Sequence, residues 1–229
     1  MEFCEFERIM SSKRMKRYVE ACNGNTRKAM SLYRLNQRLA EEMFTIISYY
    51  EVALRNAIDR ILVNALGTDW LRDAISSGGI FDNPRFLNTT RMMQKAYAEL
   101  VSNGNYSNSK MLAAMEFGVW KYMYSAPQYK ATGRLLLKVF PDKPKSSAQM
   151  QYNNNYIFNE LDAVNRMRNR IAHHEPVCFM QNDSRISTEH LQNVYDKVMS
   201  LFEWMGIDSK SLLYGMDHVK SVCCLIEKL

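Results

Sequence analysis

Residues 166–176 read RMRNRIAHHEP. Arg166, Arg168 and Arg170 alternate, His173 and His174 follow, and Pro176 closes the run. A guanidinium stays charged at any physiological pH, and its planar fork matches a phosphate. An imidazole gives and takes a proton near neutrality. Phosphodiester cleavage can run on that pair without a metal. The histidine moves a proton at the 2′-hydroxyl or the leaving 5′-oxygen, and the arginine stabilises charge building on the phosphorus oxygens.

The spacing sharpens the assignment. With Ile157 as zero on a helical wheel at ~100° per residue, Leu161, Val164, Ile171 and Ala172 fall within ~60° of it. Arg168 falls at ~20°, inside that apolar stripe, where a charge needs a partner or a polar cavity. Asn169 and His173 fall at ~120° and ~160°, one turn apart, so the Asn169 amide can orient the ring. Arg166 and Arg170 point away from the stripe. Pro176 disfavours helix at Glu175, so the helix is expected to end or bend at the two histidines. A plainer reading stays open. Arg168 could pair with a buried Glu51 while His173, as an imidazolium, complements the helix C-terminus. No metal site or cofactor is expected. Adjacent helical histidines diverge by about 100°, and only His190 and His218 remain.

Elements to position these residues are legible as helices. Ser11 or Ser12 can cap a first helix that stops at the NGN of 23–25. Helical periodicity then runs from Thr26 to Leu66 and ends at Gly67, with a break expected near Tyr33–Asn36. Met43, Ile47, Tyr50, Leu54, Ala57, Ile58 and Ile61 form its apolar stripe, with Glu51 and Arg55 four apart on the flank. Residues 74–88 read as a loop. Helices are predicted over about 89–102, 109–124, 129–139 and 147–174, with FPDKPKSS as a connector. Another helix opens at Ser187 or Thr188 and runs to about Met205, and a last one covers much of the C-terminus. No alternating stretch makes a strand, so the class is all-α, a single domain over residues 1–229.

Composition agrees. The chain has 229 residues, 47% apolar, with only nine glycines and five prolines, which favours long helices over a turn-rich β fold. Between residues 130 and 170 stand eight Lys or Arg and three acidic residues, a net +5 of the chain's +6. Such a stretch is either a solvated face or a surface for a polyanion. Five cysteines without a CxxC pair fit neither a disulfide framework nor a zinc ribbon and point to a reducing compartment. The N-terminus lacks a signal-peptide core, and the longest apolar run, MFTIISYYEVAL, is too short for a bilayer. A soluble cytoplasmic protein is expected.

The run Arg168-Asn169-Arg170-Ile171-Ala172-His173 fits the Arg–polar–x–x–x–His signature of HEPN ribonucleases. The surrounding RNRIAHHEPV resembles the abortive-infection, Abi-like (AbiD/AbiF-type) branch. SLYRLNQRLAEEMFTIISYYEVALRNAID (31–59) resembles the N-terminal helix of that family, and MEFGVWKYM (115–123) resembles its Phe-Gly-x-Trp segment. VFP (139–141) stands in place of its LFP-like step. The likeness covers roughly residues 8–205; residues 206–229 carry no recognised motif.

The resemblance implies a HEPN-like helical bundle with flanking helices. It implies a metal-independent endoribonuclease whose Arg/His motifs face each other across a homodimer, leaving 2′,3′-cyclic phosphate and 5′-hydroxyl ends. Carried onto this chain, Arg168 and His173 are catalytic, Asn169 and His174 support them, and Glu51, Arg55 and Asn56 line the site. Lys143, Lys145, Arg166 and Arg170 are candidates for holding RNA, and Tyr152, Tyr156 and Phe158 either stack on bases or simply pack. The implied role is phage defence or the toxin of a toxin–antitoxin pair, with a small non-coding RNA as a plausible antitoxin. The competing reading is a non-cleaving module of the same fold that binds RNA or protein.

Overall fold

Apolar positions recur every three to four residues along most of the chain, and helices follow from that period. The computed structural model describes residues 1–180 and 183–229. Among these the chain forms α1 (Phe3–Met10), α2 (Ser12–Ala21), α3 (Thr26–Leu66), α4 (Trp70–Ile75), α5 (Leu87–Ser102) and α6 (Asn108–Ala114). It continues with α7 (Phe117–Tyr122), α8 (Ala126–Ala131), α9 (Asn154–Ala172), α10 (Glu189–Trp204), α11 (Ser209–Leu212) and α12 (Val219–Glu227). Short 3-10 turns cover Pro84–Phe86 and Leu136–Val139. A lone antiparallel bridge joins Phe179 and Ile186, and no strand occurs among the described residues. The protein is all-α. No helix among these residues is long and apolar enough to cross a membrane.

Several expected boundaries move, each for a local reason. α3 runs unbroken through Tyr33–Asn36. It contains no glycine or proline, so nothing interrupts its hydrogen-bond ladder. Met43, Ile47, Tyr50, Leu54, Ala57 and Ile58 are buried as expected, but Leu62 takes the last core place and Ile61 is only half-buried. The helix expected over 109–124 is two helices, because Met115 and Glu116 are extended and this lets Met115 and Phe117 both face inward. Gly133 and Arg134, both left-handed (φ 67° and 59°), divide the 129–139 helix. Helix also reaches into the 74–88 stretch, through the end of α4, a 3-10 turn and the start of α5.

The described residues gather into two compact units. One comprises Met1–Ser48, Arg166–Met199 and Ser209–Leu229; the other comprises Tyr49–Asn165 and Ser200–Asp208. Helices α3, α9 and α10 each contribute residues to both.

The first unit carries an aromatic chain, Phe6 to Tyr33 to Tyr18 to Phe179, with centroids 5.4, 5.1 and 5.1 Å apart. Edge-on pairs of this kind add to ordinary apolar burial. α12 buries Val219, Val222, Cys223 and Ile226, the i, i+3, i+4, i+7 face of an amphipathic helix, and Thr188 donates to Glu227 at 2.7 Å.

In the second unit Tyr50 packs edge-on to Phe202 at 5.2 Å. Lys121 lies buried with its Nζ 2.9 Å from Asp162 and over the Tyr122 ring. Tyr152 and Tyr156 pack on each other and on Trp204, at 5.7 and 6.0 Å from the indole, and Phe158 packs on Tyr122. These three rings are thus engaged in packing. All five cysteines are free thiols.

Candidate active site

α9 begins seven residues later than expected. Ser146 and Ser147 are used up in a local turn: Ser147 Oγ accepts from Met150 N–H and Ser146 Oγ from Tyr152 N–H. Short hydroxyl side chains compete with helix in this way. Asn153 is the cap instead, its carboxamide oxygen accepting the N–H groups of Asn155 (3.0 Å) and Tyr156 (3.1 Å). Ile157, Leu161, Val164, Met167 and Ile171 form the buried face. Two expectations change here. Met167 enters the core, while Ala172, at the helix end, is exposed.

Arg168 sits beside that face, half-buried. Its Nε is fully shielded from solvent and has no hydrogen-bond partner among the described residues. A buried donor left in this state is uncommon and calls for an explanation. Arg170 does not point freely outward as the wheel suggested. Its side chain is 19% exposed and its Nε lies 3.7 Å from Glu175. Arg166 and Asn169 are exposed. The Asn169 amide makes no hydrogen bond to the His173 ring; the bond between these residues is from the His173 backbone N–H to the Asn169 carbonyl, at 2.9 Å.

α9 ends in a defined turn. His174 is left-handed, with φ 54°. Its N–H bonds the Ile171 carbonyl and the Glu175 N–H bonds the Arg170 carbonyl, both at 2.9 Å. These are the two bonds of a Schellman cap, closed here on a histidine where glycine is usual. Pro176 follows and cannot continue the helix. The His173 and His174 side chains are both exposed, and the His174 carbonyl accepts from Arg14 at 2.9 Å.

The chain beyond the turn is tied down by side chains. Asn36, 2% exposed on α3, accepts the N–H groups of Val177 (2.8 Å) and Cys178 (3.2 Å). Arg17 donates to the carbonyls of Met180 and Asp183 and lies 4.4 Å over the Phe179 ring. Burial pushes the Cys178 thiol up to about 12, so it stays protonated and offers no competing nucleophile.

The first unit therefore holds Arg166, Arg168, Asn169, Arg170, His173 and His174 on one helix end. Glu51, Arg55 and Asn56 belong to the second unit, half-buried in consecutive turns of α3, and the Arg55 Nε is buried without a hydrogen-bond partner. Lys143 and Lys145 also belong to the second unit, in the connector before α9, with Lys145 the more exposed. Among the described residues no three His, Cys, Asp or Glu side chains gather as a metal-binding group.

His190 was not singled out from the sequence. It opens α10, and burial, then the charges of Arg170 and Arg166, hold its imidazole below the ordinary range. Nothing in the local pattern around His190 reveals that neighbourhood. Asn36 did leave a signal. It stands among Leu32, Leu39, Ala40 and Met43, at helical spacing on an apolar stripe, where a polar group must find partners.

Fold and site together describe an all-helical protein that presents an Arg-x4-His motif at a capped helix end. The chain belongs to the Abi-like protein family, whose family model matches residues 3–178. No curated protein and no solved structure matches it.

Proposed function

We propose that this Abi-like protein is a metal-independent endoribonuclease of HEPN type that acts in abortive infection or as the toxin of a toxin–antitoxin pair. The observation that carries the reading is the buried, unpartnered Nε of Arg168 on the same helix end as the exposed His173 ring. Arg168 as a whole is half-buried rather than sealed, so a phosphate can meet its guanidinium, and the exposed imidazole can reach a hydroxyl of bound RNA. His173 takes the 2′-hydroxyl proton, the 2′-oxygen attacks phosphorus, and the bond to the 5′-oxygen breaks. The leaving oxygen takes a proton from the His173 of a second copy, which makes the working site a homodimer. The products are a 2′,3′-cyclic phosphate and a 5′-hydroxyl. Arg168 stabilises the charge on the non-bridging oxygens, and Arg166, Arg170, Lys143 and Lys145 hold the backbone. A small structured RNA would bind the same basic residues as an antitoxin.

The test is induced expression of wild type and His173→Ala in bacteria, with sequencing of 5′-hydroxyl RNA ends. Growth arrest and new ends with wild type, absent with the folded variant, are expected. If neither protein cuts when freed of co-purifying RNA, a non-cleaving binding module replaces this reading. In that case, affinity that falls steeply with salt marks its ligand as nucleic acid.

A further inference from the structure

The His173 ring makes no hydrogen bond of its own among the described residues, so its place is set by backbone alone. That backbone is unusual. It leaves α9 through a left-handed non-glycine residue, His174, and among the described residues that follow a single β-bridge joins Phe179 to Ile186. Much of what holds this stretch comes from α2 and α3. Arg14 binds the His174 carbonyl at 2.9 Å, Asn36 binds the next two N–H groups after Pro176, and Arg17 binds the Met180 and Asp183 carbonyls.

Arg14 is the member of this set that acts at the motif. The Schellman bonds satisfy the carbonyls of Arg170 and Ile171, while no backbone N–H among the described residues donates to the His174 carbonyl. A charged donor on that oxygen fixes the peptide plane that follows His174 and biases the residue towards its left-handed conformation. His173 lies one peptide back, so any swing of this turn swings the imidazole. Arg14 is half-buried and follows the Ser11 cap of α2, where Ser11 Oγ accepts the Arg14 backbone N–H at 3.3 Å. Its own backbone is therefore anchored.

We infer that Arg14 is a positioning residue for His173, holding the catalytic turn through the His174 carbonyl. The role rests on the ribonuclease reading for its effect on rate but not for its effect on structure.

The experiment compares wild type, Arg14→Ala, Arg14→Gln and Arg14→Lys by amide hydrogen exchange and by RNA cleavage kinetics. Arg14→Ala should speed exchange at the His174 and Glu175 amides while the α3 amides stay protected. It should lower kcat roughly 10- to 100-fold with KM unchanged, the usual size of a misplacement effect. Arg14→Lys should fall between the two, and added guanidinium should restore part of the alanine variant's rate. Should the alanine variant fail to fold, Arg14→Gln, which keeps a donor amide, gives the same comparison. Unchanged exchange at residues 174 and 175 overturns the inference, as does a loosened turn with a wild-type kcat. If wild type cuts no RNA, the ribonuclease reading falls, and the exchange arm still decides whether Arg14 holds the turn.

Discussion

One carboxamide oxygen, that of Asn36, accepts the backbone N–H groups of both Val177 and Cys178, 141 and 142 positions further along the chain. Both donors are buried, and the segment they belong to has no helix to receive them. Asn36→Leu keeps the side chain's approximate volume but strands both N–H groups. Each buried orphan costs about 1–3 kcal/mol, so the variant should lose about 2–4 kcal/mol in urea denaturation, whereas an exposed substitution such as Lys13→Ala should leave the midpoint nearly unchanged.

His174 holds a conformation that a side chain disfavours. His174→Gly should therefore raise stability by about 0.5–1 kcal/mol, because the left-handed penalty exceeds the extra freedom glycine gains in the unfolded chain. Differential scanning calorimetry reads this directly. A lower melting temperature would mean that the His174 ring makes a stabilising contact.

Lys121 and Asp162 should respond unequally to neutralisation. Lys121 is 8% exposed at its side chain and Asp162 26%. Asp162→Asn leaves a buried ammonium unpaired and should cost about 2–4 kcal/mol. Lys121→Met leaves a carboxylate that water reaches and should cost about 1 kcal/mol or less. The double variant should recover most of the loss from Asp162→Asn. Equal single effects in chemical denaturation would contradict this account.

His190 gives the fold a pH dependence of known sign. Its imidazole is held below 6.5 by burial and by Arg170 and Arg166, so the folded chain binds this proton less readily than the unfolded one. The stability it contributes is fully present above the unfolded value of 6.5 and is lost as pH falls through the depressed folded value. His190→Gln should flatten that part of the stability–pH curve. Phosphate bound at Arg166 and Arg170 would offset their charges, so RNA should move the His190 titration upward, measured by its ring proton shifts.

The proposed function has Lys143 and Lys145 contact the RNA backbone. Replacing each with Gln should reduce the slope of log affinity against log salt by about 0.7 for single-stranded RNA. Filter binding at several salt concentrations checks it. An unchanged slope removes both lysines from the interface.

Much of this arrangement was legible in the chain itself, for reasons that differ by element. The helix class and the stripe of α3 follow from apolar spacing, and Pro176 announces the end of α9. The motif's Arg168 was placeable against the core because a helix wheel carries that information. The left-handed Arg134 that divides the 129–139 segment was not legible, since an arginine carries no turn signal. Nor was the cap at Asn153, because two serines just upstream compete for the same part. The link between Arg14 and His174 is a meeting of distant residues, which local periodicity cannot encode.

That distance also sets a timetable. Arg14 and His174 stand 160 positions apart, so on the ribosome α2 is finished long before its carbonyl partner is made. Contacts of such long range are the slow ones to form. A chain interrupted just before residue 174 would hold α2 and all of α9 but not the carbonyl that Arg14 binds. The end of α9 can thus acquire its fixed geometry only when most of the polypeptide has been synthesised, so the turn after α9 is a late acquisition of the fold.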